Sequence, residues 1–174
     1  MWEKSRAAYH QIADDLGVRL IPVGDAFRAV DVDPRWGYRP DPAFDPRTAR
    51  EPRLPDQSHS LHVGYRWKSG KLTFDSHHAS PAGCYLAGLV WYATLFDASP
   101  TKVTFAPAEL APDFAAHLRE VAARVVRAGR EADRVDPSRS AQAPGHAHRE
   151  LHELVNDPAG QQGRTPDALC AAVS

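Results

Sequence analysis

Apolar residues recur at helical spacing over residues 2–16, where Trp2, Tyr9, Ile12, Ala13 and Leu16 line up and Gly17 offers a left-handed stop. Residues 18–23 (Val-Arg-Leu-Ile-Pro-Val) are apolar on both sides, a pattern that predicts a short buried parallel strand. Helix, tight turn and strand together imply one step of a layered α/β fold. Gly24 and Asp25 end that run, with Asp25 placed to cap a helical turn through Ala26, Phe27 and Ala29.

The pattern then breaks. Between residues 33 and 58 six prolines (34, 40, 42, 46, 52 and 55) interleave with Arg, Asp and the aromatics Trp36, Tyr38 and Phe44. Such proline density forbids a continuous helix or a central strand, while the aromatics argue for an ordered excursion over the surface. Residues 61–67 and 71–74, separated by Lys68-Ser69-Gly70, read as two strands and a turn. Ser80 as cap and Pro81 in the first turn then open a helix that runs toward Pro100. Tyr85, Leu89, Tyr92 and Phe96 fall on one of its faces, and Leu86, Val90 and Ala93 on the next, the signature of a core helix. Residues 113–128 form an amphipathic helix with Phe114, Leu118, Val121 and Val125 on its apolar stripe. Asp113 at its start and Arg124, Arg127 and Arg130 at its end suit the helix dipole. From residue 131 to 174 the period is lost and Ala, Pro, His and Arg predominate, which predicts a flexible tail with at most a marginal helix near 147–155.

Bulk properties narrow the function classes. The 174 residues suffice for one domain of ordinary size. With 21 basic against 22 acidic residues there is no electrostatic case for nucleic acid or an anionic membrane. No apolar run is long enough to span a bilayer. The first residues contain no secretion-signal core, which leaves the cytoplasm as the default compartment. Cys84 and Cys170 have no metal-type spacing and read as free thiols, Cys84 as a small packing residue of the helix.

Chemistry concentrates at Asp75-Ser76-His77-His78-Ala79-Ser80-Pro81. An acid three residues before a histidine, on one short loop anchored by a core helix, is how a base and its orienting carboxylate are held for nucleophilic catalysis. His78 is the candidate base and Asp75 its partner, with His77 a competitor that spacing alone does not remove. A carboxylate bracing a turn is the non-catalytic alternative.

Asp-x-x-His, then Ser, then Gly83-x-Tyr85-Leu86 opening an apolar helix, resembles the last motif block of the SGNH/GDSL-type serine esterases. Leu20-Ile21-Pro22-Val23-Gly24-Asp25-Ala26-Phe27 upstream resembles a poorly characterised bacterial branch of that superfamily, with Ala79 standing where proline is usual. The resemblance covers about residues 5–128. It implies an α/β chain representing the C-terminal part of an SGNH-like three-layer α/β/α domain (residues 1–130), followed by the tail (131–174). It also implies cofactor-free, metal-independent ester hydrolysis with Asp75 and His78 as acid and base of a Ser-His-Asp triad. Carbohydrate acetyl esters and lipid-like esters both fit as substrates. The nucleophile turn and oxyanion residues that such enzymes use have no counterpart here. The only asparagine is Asn156, after the histidine, and Gly24-Asp25-Ala26 carries alanine where serine would stand and lies too close to the histidine block. Ser58, Ser60, Ser76 and Ser80 fit caps or turns rather than a nucleophile elbow. Because Met1 stands on a helix already under way, the expectation is that the catalytic serine lies upstream of it, leaving the acid–base half of a hydrolase; a short pseudoenzyme is the rival.

Two other classes remain open. His59, His62, Asp75, His77 and His78 offer N and O ligands for a metal-binding module, although their spacing matches no zinc signature. The tail histidines His146, His148 and His152 add a weaker possibility of the same kind. Trp36, Tyr38, Phe44 and Trp67 could instead form a partner-recognition surface, or simply pin the proline-rich excursion to its own core.

Overall fold

The structure is a computed structural model that describes residues 2–135. Internal contacts divide the described residues into two compact units, 21–127 and 2–20 with 128–135. Helix α1 (Trp2–Leu16) belongs to the latter and ends, as the pattern predicts, on Gly17 at φ +62°. The unit 21–127 holds the candidate site. It contains α2 (Val23–Asp31), an antiparallel pair β1 (His62–Lys68) and β2 (Lys71–Ala79), α3 (Pro81–Phe96) and a short 3-10 turn (Pro100–Lys102). Helix α4 (Pro112–Val135) starts in it and continues past Arg127.

The protein is mixed α and β, but its sheet has two antiparallel strands only among the described residues. The predicted parallel strand at 18–23 does not form. Residues 18–22 lack strand pairing, and Val23 already begins α2 after Pro22. The reason is physical: an apolar extended run needs a neighbouring strand to take its N–H and C=O groups, and no third strand is present among the described residues. Asp25 accordingly lies inside the first turn of α2 and does not cap it.

Helices α2, α3 and α4 and the strand-entry residue Leu61 share one core, in which Leu61, Leu86, Val90, Phe114, Leu118 and Val121 are all but sealed from solvent. The stripe foreseen for α4 holds, with Val125 half-buried at its edge. On α3 the buried side is Tyr85, Leu86, Leu89, Val90 and Ala93, whereas Tyr92 and Phe96 are exposed, their rings tilted against each other at 5.8 Å. Helix α4 continues through Gly129, where its period was expected to end, so 131–135 are helical; residues 136–174, which carry the rest of the expected tail, His146, His148, His152, Asn156 and Cys170, lie outside the described residues.

The junction between hairpin and α3 is closely built. Ser80 accepts the Gly83 amide at 3.2 Å as N-cap and donates its hydroxyl to the Ser60 carbonyl at 2.7 Å. Its own amide donates to the Leu61 carbonyl at 2.9 Å. One serine thus caps the helix and ties its start to the strand entry. Gly83 is required there, since a Cβ would run into the Leu61 carbonyl oxygen.

Gly83→Ala should therefore destabilise the protein by about 1–3 kcal/mol, because the obstructing atom is backbone and cannot rotate away. Gly88, on the exposed side of the same helix, has nothing within 4 Å of an added Cβ, so Gly88→Ala should stabilise by about 0.5–1 kcal/mol. Equilibrium urea unfolding of the two variants measures both, and equal shifts would contradict the packing described.

Candidate functional site

The hairpin turn is Ser69-Gly70 with both residues at positive φ (51° and 74°), the two-residue geometry whose twist matches antiparallel strands. From it the ladder runs in register through Lys68 with Lys71, Arg66 with Thr73 and Gly64 with Asp75, and then slips. Two steps along β1, from Gly64 to His62, face four along β2, from Asp75 to Ala79. The extra length is a bulge containing Ser76, His77 and His78. Asp75 and His78 therefore sit on a bulged strand and not on the loop that the sequence suggests.

Asp75 itself makes the bulge. Its Oδ1 accepts the backbone amides of His77 at 3.1 Å and His78 at 3.0 Å, drawing both donors toward a side chain. Its Oδ2 meets His78 Nδ1 at 2.8 Å. On the opposing strand Gly64 adopts φ +68°, and a Cβ there would strike the Gln57 amide. That amide brackets Tyr65, donating to its carbonyl at 2.9 Å and accepting its N–H at 2.6 Å. The Gln57 side chain thus satisfies the outward-facing backbone groups of Tyr65 and holds β1 where it faces the bulge.

The two candidate residues are brought together, in the relation a base and its orienting acid require. The Asp75 side chain is only 14% exposed, the imidazole of His78 62%. The amides of His78 and His77 and then the imidazole hold the Asp75 carboxyl down to about 2. A carboxylate this acidic remains ionised and fixes Nδ1 as the donor nitrogen, which leaves Nε2 as the open acceptor. Arg66 Nη2 lies 3.6 Å from the same Oδ2. The ring of His77, the competitor, has only a 3.4 Å approach to Ser76 Oγ and meets no carboxylate among the described residues.

No described hydroxyl or thiol meets the His78 ring. Ser58 donates to Asp56, Ser60 to the His62 carbonyl, and Ser80 is spent as cap and tie, so these serines serve turns and caps. Cys84 is half-buried, with a long 3.9 Å contact from Sγ to the Ala79 carbonyl. Among the described residues no three His, Cys, Asp or Glu side chains converge as metal ligands, so the geometry lends the histidine-rich module no support.

His59, one of those histidines, is engaged elsewhere, in a cluster that spacing did not reveal. Trp36 stacks on Phe114 at 5.5 Å and on His117 at 5.4 Å, and His59 leans on both Phe114 (4.7 Å) and Trp36 (5.2 Å). Phe44 likewise packs on Tyr65, and Trp67 Nε1 donates to the Arg53 carbonyl at 3.1 Å. The aromatics of 33–58 therefore pin that excursion to its own unit. His117 is 12% exposed, its Nε2 buried without a hydrogen bond and 3.7 Å from Asp33 Oδ2. Burial lowers its pKa against the opposing pull of Asp33. Comparisons with protein-family models, curated proteins and solved structures found no match to this chain.

Two acid-range losses of stability follow from the signs. His117 has a lowered folded pKa, so the unfolded chain takes the proton first and stability should start to fall below the ordinary value of 6.5. Asp75, also lowered, contributes stability above 3.8 that is lost as the pH falls through about 2. Urea titrations at successive pH values should lose the first decline in His117→Gln and the second in Asp75→Asn. Unchanged profiles in both variants would refute the two environments.

Proposed function

We propose that Asp75 and His78 are the acid–base half of a Ser-His-Asp hydrolase site acting on ester bonds. The observation that carries this reading is the 2.8 Å contact between Asp75 Oδ2 and His78 Nδ1, on a carboxylate already anchored by two backbone amides. Nε2 accepts the proton of an attacking hydroxyl as its oxygen adds to the ester carbonyl. The imidazolium so formed is stabilised by Asp75 and returns the proton to the departing alkoxide. Water then repeats the sequence on the acyl intermediate. In this reading the nucleophile meets the exposed imidazole edge of His78, where no described hydroxyl or thiol stands. The finer fold reading, residues 1–130 as the C-terminal part of an SGNH-like α/β/α domain, rests on the order Asp-x-x-His, capping Ser, then a Tyr-Leu helix. Esters of small molecules or carbohydrates are the substrate class that goes with it.

Two measurements test the proposal. Diethyl pyrocarbonate, which acylates unprotonated imidazole nitrogen, should modify His78 ahead of His77, and the preference should vanish in Asp75→Asn; peptide mass mapping reads the order. Equal labelling in the parent chain would remove the proposal. Separately, p-nitrophenyl acetate turnover by the chain alone should be negligible and the same in His78→Ala. Clear His78-dependent turnover would show that a nucleophile is already present.

A further inference from the structure

Antiparallel pairing puts directly opposed residues on one face of the hairpin. Gly64 with Asp75, Arg66 with Thr73, and Lys68 with Lys71 thus share a face, while Tyr65 with Phe74 and Trp67 with Leu72 share the other. The aromatic face is engaged by the 33–58 chain through Phe44 on Tyr65 and the Trp67 bond to Arg53. The opposite face is open and carries three cations, Arg66, Lys68 and Lys71, all exposed. From the Asp75 pair to the lysine pair is four residues, roughly 13 Å of strand.

These charges are largely unspent. Among the described residues neither Lys68 nor Lys71 has a carboxylate at ion-pair distance, and the one ion pair of the Arg66 guanidinium is the 3.6 Å approach to Asp75. Glu51, whose carboxylate comes near Gly70 at the turn, is the acid beside the lysine end. The guanidinium is 53% exposed, and its remaining N–H donors are in a planar fork suited to a carboxylate or phosphate. Arg66 and His78 approach the same Oδ2, so an anion gripped by the guanidinium lies in the immediate neighbourhood of the His78 ring.

We infer that Arg66, extended by Lys68 and Lys71, recognises an anionic group on the molecule that the Asp75–His78 pair serves, making its substrates esters that carry a carboxylate, phosphate or sulfate. The inference rests on the acid–base reading of that pair and narrows it: neutral acetyl esters would leave the open face of the hairpin unused. Arg66 is a specificity residue in this scheme and takes no part in proton transfer.

Titration of the ¹⁵N-labelled full chain with inorganic pyrophosphate tests it. Saturable shifts should map to the amides of β1 and β2 and weaken as salt is raised, since exposed charges are screened within about 10 Å at 0.1 M. Arg66→Gln should lower the affinity about five-fold, the worth of one charge at contact distance in water. Lys68→Gln with Lys71→Gln should lower it again, and Lys102→Gln, away from the hairpin, should leave it unchanged. Pyrophosphate binding equal to that of the parent in Arg66→Gln, or shifts spread over every surface lysine, would overturn the inference whatever His78 does. Loss of the reagent preference at His78 with Arg66-dependent binding intact would instead strike the hydrolase reading and leave an anion site.

Discussion

The carboxylate of Asp75 is the constraint from which the rest of this site follows. One of its oxygens takes two backbone amides from its own strand and the other takes an imidazole nitrogen. Taking those amides bends β2 into the bulge, and the bulge is what swings His78 back over the residue that orients it. A regular strand would place residues 75 and 78 on opposite faces, because side chains alternate with period two. The acid and base meet only because the acid disrupts the ladder.

The bulge is held at both ends. Gln57 grips Tyr65 on the facing strand, with Gly64 left bare to admit it. After His78 the chain passes at once into Ser80, which caps α3 and binds the Ser60 carbonyl. Helix α3 is among the most deeply buried elements, so the strand end that carries the imidazole is anchored to the core through two residues. The imidazole edge itself stays in solvent. Rigid support behind an exposed imidazole edge is what the proposed acid–base role requires.

Much of this was legible in the residues. Ser80-Pro81 announced a helix start, Ser69-Gly70 a tight turn, and the 3.6-residue period of Phe114, Leu118 and Val121 a buried stripe; each rests on local rules that neighbours rarely override. Asp-x-x-His was enough to pair the acid with the histidine whose ring it meets. What local pattern could not supply was partner-dependent. Residues 18–23 have strand composition but no strand beside them among the described residues, and Tyr92 and Phe96 have core character on a face of α3 that the core does not cover. The bulge was hidden because it arises from side-chain competition for backbone amides, which periodicity does not record. The Trp36, His59, Phe114 and His117 cluster joins two distant stretches of the chain, the 33–59 segment and α4, and likewise left no local trace.

The central claim is that Asp75 sets the protonation pattern of the His78 ring. Long-range ¹H–¹⁵N correlation of the imidazole, recorded where His78 is neutral, reads that pattern directly. The account requires a protonated Nδ1 and a bare Nε2, with the preference weakened when Asp75 is replaced by Ala. A neutral ring carrying its proton on Nε2 would mean that the contact is a strand brace alone, and the acid–base assignment would fall.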